Sequence, residues 1–126
     1  MAKKYLFCTL FFLLGLMSGW LFNSYWENQA SRGESLMLLG EANQALRKGD
    51  LDVATDFALR AATRNQNSFL AELMVAELYD KRGVNQMAIK YYQNALAISR
   101  AEGGVDNHIR QRLEILTKAA APAQKR

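Results

Sequence analysis

Residues 35–68 read SLMLLGEANQALRKGDLDVATDFALRAATRNQNS, and residues 69–102 read FLAELMVAELYDKRGVNQMAIKYYQNALAISRAE. Laid one over the other at a shift of 34, they align without insertion. Leu36 falls on Leu70, Leu39 on Leu73, Ala42 on Ala76, Gly49 on Gly83, Ala54 on Ala88 and Ala61 on Ala95. The positions between are graded in the same sense: Arg47 meets Lys81, Lys48 meets Arg82, Val53 meets Met87 and Phe57 meets Tyr91. A fixed period of this length marks stacked supersecondary units, each too small to bury a core alone.

Each unit reads as a pair of helices. Leu36, Leu39, Ala42 and Leu46 recur at the three-to-four spacing of one helix face. Ser31-x-x-Glu34 offers a capping box upstream of that face. Gly49 ends the first helix, and Asp50 or Asp52 starts the second. That second helix carries Val53, Ala54, Phe57, Ala58 and Ala61, and its copy carries Met87, Ala88, Tyr91, Tyr92 and Ala95. Asn65 to Ser68 and Glu102 to Gly104 punctuate the ends. Beyond them Val105 to Ala119 places Ile109, Leu113 and Leu116 at helical spacing with no partner helix to follow, as a solenoid's terminal cap requires.

These residues resemble the tetratricopeptide repeat (TPR) family, of the membrane-anchored bacterial kind. Ala42, Gly49, Ala54 and Ala61 match its pattern of small, glycine, small and small residues, and Ala76, Gly83, Ala88 and Ala95 match it again. The second copy adds the family's aromatics as Tyr79 and Tyr92. Small residues let helices cross closely, and the glycine permits the tight turn. The departures are specific. The large residue early in the first helix is Leu38 in one copy and Glu72 in the other. The closing proline is absent from both, and the aromatic sites of the first copy are Ala45 and Ala58. The room left by those two rings is open to a partner's aromatic, to the chain's own Tyr25 or Trp26, or to filling by Leu38 and Leu59.

The other segment that shapes the reading is Tyr5 to Phe22, YLFCTLFFLLGLMSGWLF, which holds no charge. As a helix it spans roughly 27 Å, near the thickness of a bilayer's hydrocarbon. Lys3 and Lys4 precede it, Tyr5, Trp20, Tyr25 and Trp26 flank it, and no lysine or arginine follows until Arg32. The positive-inside bias sets the N-terminus in the cytoplasm and residues 27–126 across the membrane. A cleaved signal peptide fits less well, because the apolar run exceeds the usual h-region and no position has small residues at both −3 and −1. Gly15 and Gly19 form a G-x-x-x-G, a flat patch for transmembrane packing against another helix. Cys8 shares that face and reads as a small apolar filler.

The predicted organisation is all-α. A cytoplasmic N-terminus (1–4) leads into a single transmembrane helix (5–22) and a linker or helix extension (23–34). Two TPR pairs follow (35–68 and 69–102), then a C-terminal capping helix (103–119) and a flexible tail (120–126).

Composition removes several functions. The chain of 126 residues has a net charge of +4, but Lys3 and Lys4 account for part of it, and the remainder after residue 22 is nearly balanced. No broad basic face for nucleic acid results. One cysteine and one histidine, Cys8 and His108, are too few for a Cys/His metal site. Gly103-Gly104 lacks the Lys-Ser/Thr of a phosphate loop, and His108 has no nucleophile at motif spacing. No enzyme activity, cofactor, metal or small-molecule substrate is expected.

The resemblance implies function through contact. First helices of TPR pairs line a concave groove, which nominates Asn43, Arg47, Glu77, Lys81, Asn107 and Gln111 as protein-binding residues. Asn43 matches one position of the subset that grips chaperone C-termini, but Glu77 would repel a carboxylate, so that ligand is rejected. The leading expectation is an adaptor or scaffold in the inner membrane, its repeats in the periplasm, acting as a subunit or assembly factor of an envelope complex. Two others stand beside it: a structural subunit packing through its transmembrane helix, and an organelle-surface import receptor.

Overall fold

The computed structural model describes the backbone of residues 2–104 and 106–120, and the side chains of residues 19, 21–104 and 106–120. Among the described residues the chain is all-helical and has no strand: α1 is Ala2–Arg47, α2 Leu51–Arg64, α3 Phe69–Lys81, α4 Asn85–Ala101 and α5 Asn107–Ala120. Two units, Met1–Gly33 and Glu34–Arg126, are compact in themselves.

In the first unit the helix runs without interruption through 23–34, so this stretch is helix extension and not a linker. The capping box does not form there. With backbone helical on both sides, the Ser31 hydroxyl donates back to the Asn28 carbonyl at 2.9 Å instead of accepting an orphan N–H. Leu21, Phe22, Tyr25 and Trp26 are exposed, and Trp26 meets both Phe22 and Tyr25 edge-on, with centroids 5.9 and 6.3 Å away. Among the described residues no helix is long and apolar enough to cross a membrane. The span read from residues 5–22 lies, apart from Gly19, Leu21 and Phe22, outside the residues whose side chains are described.

The second unit is built twice from one plan. Ala42, Ala54, Ala58, Ala61, Ala71, Val75 and Leu78 share one core cluster, and Ala76, Ala88, Tyr92, Ala95, Leu96, Ile109 and Leu116 share the next. Shifting by 34 residues carries Ala42, Ala54, Ala58, Ala61 and Val75 onto Ala76, Ala88, Tyr92, Ala95 and Ile109. Helix α3 therefore covers the first hairpin as α5 covers the second. The eight small signature residues split into two turn glycines and six alanines, and all six alanines are completely buried. A methyl group is the largest side chain that lets two helix backbones meet so closely.

The turns repeat as well. Gly49 and Gly83 have φ of +82° and +72°, the left-handed conformation that a Cβ disfavours. Around each, two bonds close a Schellman motif. Gly49 N–H donates to Leu46 O at 3.0 Å and Asp50 N–H to Ala45 O at 3.1 Å; Gly83 N–H donates to Asp80 O and Val84 N–H to Tyr79 O, both at 3.0 Å. Asp50 then caps α2 by accepting from Val53 N–H at 3.1 Å, and Ser68 caps α3 by accepting from Ala71 N–H at 3.3 Å.

Two expectations shift in position. Leu36, expected on the core stripe, is 62% exposed, and its copy Leu70 is exposed too. Ser35 takes the inward position one residue earlier, where its buried hydroxyl donates to Ala61 O at 3.0 Å and ties α1 to α2. The cap helix begins at Asn107, after a turn at Gly103 with φ +80°. The tail from residue 121 lies outside the described residues.

Candidate protein-interaction surface

Asn43 and Arg47 lie on α1, Glu77 and Lys81 on α3, and Asn107 and Gln111 on α5, each pair spaced i, i+4 and so sharing a helix face. All six are exposed. Among the described residues none of them enters a salt bridge or a side-chain hydrogen bond, so their polar groups stay solvated. The repeat-defining alanines lie behind them in the core and hold the helices without presenting chemistry of their own. Of the proposed transmembrane pair, Gly19 has no atom within 4 Å of an added Cβ, and Gly15 lies outside the described side chains.

The charged groups that do find partners fasten helices together. Arg112 on α5 grips Asp80 on α3 through two parallel bonds, Nε to Oδ2 at 2.6 Å and Nη2 to Oδ1 at 2.7 Å. The Tyr92 hydroxyl on α4 donates to the same Oδ2 at 3.3 Å, so one carboxylate joins three helices. The guanidinium beside it holds the Asp80 carboxyl below its ordinary range; burial pushes the other way and loses. Burial first, then the Asp80 charge, push the Tyr92 phenol up to about 12. Arg82 reaches Asp52 at 2.7 Å and Arg64 reaches Glu34 at 3.4 Å, both at the surface. Glu72 is only 7% exposed, and Asn94 Nδ2 donates to its Oε2 at 3.0 Å. None of these pairs has a local sequence signal: Asp80 and Arg112 are 32 residues apart, on helices that become neighbours only after the hairpins stack.

The two missing rings have different outcomes. Ala58 is completely buried, and Leu38 and Leu59 pack on the cluster that contains it. Beside Ala45, in contrast, a cavity of about 200 Å³ remains, walled by Ala45, Val53 and Phe57 and rimmed by Glu41, Gln44, Lys48 and Asp50. Tyr25 and Trp26 stay exposed. In the second hairpin the equivalent place is occupied: the Tyr79 ring stacks on Tyr91 at 5.7 Å and 15°. Another cavity, of about 290 Å³, is lined by Glu34, Leu38, Arg60, Thr63 and Arg64.

Among the described residues no group of three or more His, Cys, Asp or Glu side chains could hold a metal ion. His108 is exposed. No protein-family model matches the chain, and no curated protein matches it.

Proposed function

We propose that this chain is a membrane-anchored adaptor of tetratricopeptide type, holding a protein partner on its repeats. The observation that carries the reading is the second core cluster, which repeats the first at a 34-residue shift and leaves α1, α3 and α5 with unpaired polar pairs at the surface. An array of like helices with solvated polar side chains is a scaffold for recognising another chain, and its buried alanines offer no reactive group. Residues 5–22 anchor it in the inner membrane with the N-terminus cytoplasmic and the repeats periplasmic, on the strength of length and flanking charge. In that place it serves as a subunit or assembly factor of an envelope complex, and a permanent partner adds to its stability by binding only the folded form.

The test is affinity purification of the full chain in mild detergent, wild type against Arg47→Glu/Lys81→Glu. Partners retained by the wild type and lost by the variant support the adaptor; equal recovery by both removes the groove from the account. A second reading makes the transmembrane helix the functional surface, on the G-x-x-x-G spacing of Gly15 and Gly19. Replacing residues 5–22 with an unrelated poly-Leu helix separates the two. Complexes that still assemble exclude the packing reading. A C-terminal domain reached by protease from the cytoplasmic side would point instead to an organelle-surface receptor.

A further inference from the structure

We infer that the cavity beside Ala45 is a socket for one aromatic side chain of a partner protein, stacked on Phe57 and flanked in its own sequence by a basic residue. This deepens the adaptor reading and rests on it. The protein itself shows what the cavity takes. In the second hairpin the equivalent place, on the two helices joined at Gly83, holds the ring of Tyr79 against Tyr91. In the first hairpin Arg60 lies over the Phe57 ring at 5.5 Å, as Lys90 lies over Tyr91 at 5.6 Å, but the residue that would supply the second ring is Ala45.

Size, polarity and charge agree. The cavity measures about 200 Å³. About 150 Å³ is enough to hold benzene in a protein interior. The floor of Ala45, Val53 and Phe57 is apolar, whereas the rim carries two carboxylates, Glu41 and Asp50, against one ammonium, Lys48. The excess of negative charge favours a ring with an Arg or Lys beside it. The surroundings also limit the occupant. Where α3 presents Ala71, Val75 and Leu78 to the first hairpin, α1 has Met37, Glu41 and Gln44 at the same register, all exposed. A whole apolar helix has no surface to lie on there, but a single ring has.

The experiment is a titration of the full chain in detergent micelles, followed by amide NMR shifts, with acetyl-Arg-Tyr-amide and acetyl-Arg-Leu-amide as probes. The tyrosine probe should move the signals of Ala45, Val53 and Phe57 saturably, and bind roughly twofold to twelvefold more tightly than the leucine probe, the range expected for one aromatic pair. Ala45→Tyr should abolish those shifts by filling the socket from within. Should that variant unfold, Phe57→Leu keeps an apolar floor without the ring face and should weaken only the tyrosine probe. Absence of saturable shifts in the wild type, or shifts that survive both substitutions, overturns the socket. A dimer in sedimentation that both Trp26→Ala and Ala45→Tyr dissolve would assign the ring to a second copy, overturning the partner. If the probe fails while Arg47→Glu/Lys81→Glu still loses partners, the socket falls and the adaptor reading stands.

Discussion

Arg112 and Asp80 form a two-pronged ion pair at 2.6 and 2.7 Å, and this pair clamps the last helix of the array onto the third. A bidentate pair of this kind is stronger than a single contact because both bonds share one rigid plane.

Removing the carboxylate should loosen α5. Asp80→Asn is expected to lose about 1–2 kcal/mol, since a charge-assisted bond and the Tyr92 hydroxyl's acceptor weaken together. Thermal unfolding followed by circular dichroism checks it, and hydrogen exchange should show the loss concentrated in α5. The same group sets an acid dependence. Its folded pKa lies below the ordinary 3.8, so its contribution is fully present above that value and disappears as pH falls through the lower folded one. Wild type should therefore lose stability on acidification through this window more steeply than Asp80→Asn.

At the alkaline end Tyr92 acts in the opposite sense. Its phenol is pushed up to about 12 from an ordinary 10, so the folded state keeps a proton that the unfolded chain gives up. The resulting stability is complete below pH 10 and lost as pH rises toward 12. A spectrophotometric titration should find a late-ionising tyrosine that Tyr92→Phe removes. Tyr91, raised by burial and by the neighbouring Tyr79 and Glu72, should also ionise above the ordinary 10.

Gly49 and Gly83 should be intolerant of a side chain for a conformational reason alone. An added Cβ meets no atom within 4 Å at either site, but φ is +82° and +72°. Gly83→Ala is expected to destabilise by roughly 1–2 kcal/mol, the cost of placing an L-residue in the left-handed region. Gly40, inside α1 with equally open space and no positive φ, is the control. Gly40→Ala should stabilise the helix by up to about 1 kcal/mol.

The buried alanines set the distance between helices. Ala76→Leu is expected to destabilise by about 1–3 kcal/mol through overpacking, because its site is completely closed. Leu70→Ala, on the same helix but 51% exposed, should change stability by no more than about 0.5 kcal/mol. Denaturant melts of the two variants separate a crowded contact from a solvated one.

Ala42, Gly49, Ala54 and Ala61, with their copies, make the hairpins legible in the sequence, because a close crossing and a left-handed turn each admit very few residue types. Legibility stopped where long-range partners decide. Leu36 looked like core by spacing, yet Ser35 took the inward place, since its hydroxyl had a carbonyl on α2 to reach. Ser31 looked like a cap, but the helix before it never ended. Asp80 and Arg112 carry no pattern at all until the hairpins stack. The empty place at Ala45 was visible as a missing ring; Ala45 and Ala58 both end in one buried cluster, yet a cavity stays open beside Ala45, which no spacing in the sequence indicates.

The polar edge formed by Glu41, Gln44 and Lys48 has a meaning for assembly. A tandem array whose first hairpin kept the Ala, Val and Leu of Ala71, Val75 and Leu78 would offer an adhesive end, and copies could add head to tail without closure. At the register of those three residues this chain has Met37, Glu41 and Gln44, so one charge and one amide at that end make each further addition bury polar groups. An exposed polar edge of this kind disfavours head-to-tail addition of copies at the first hairpin.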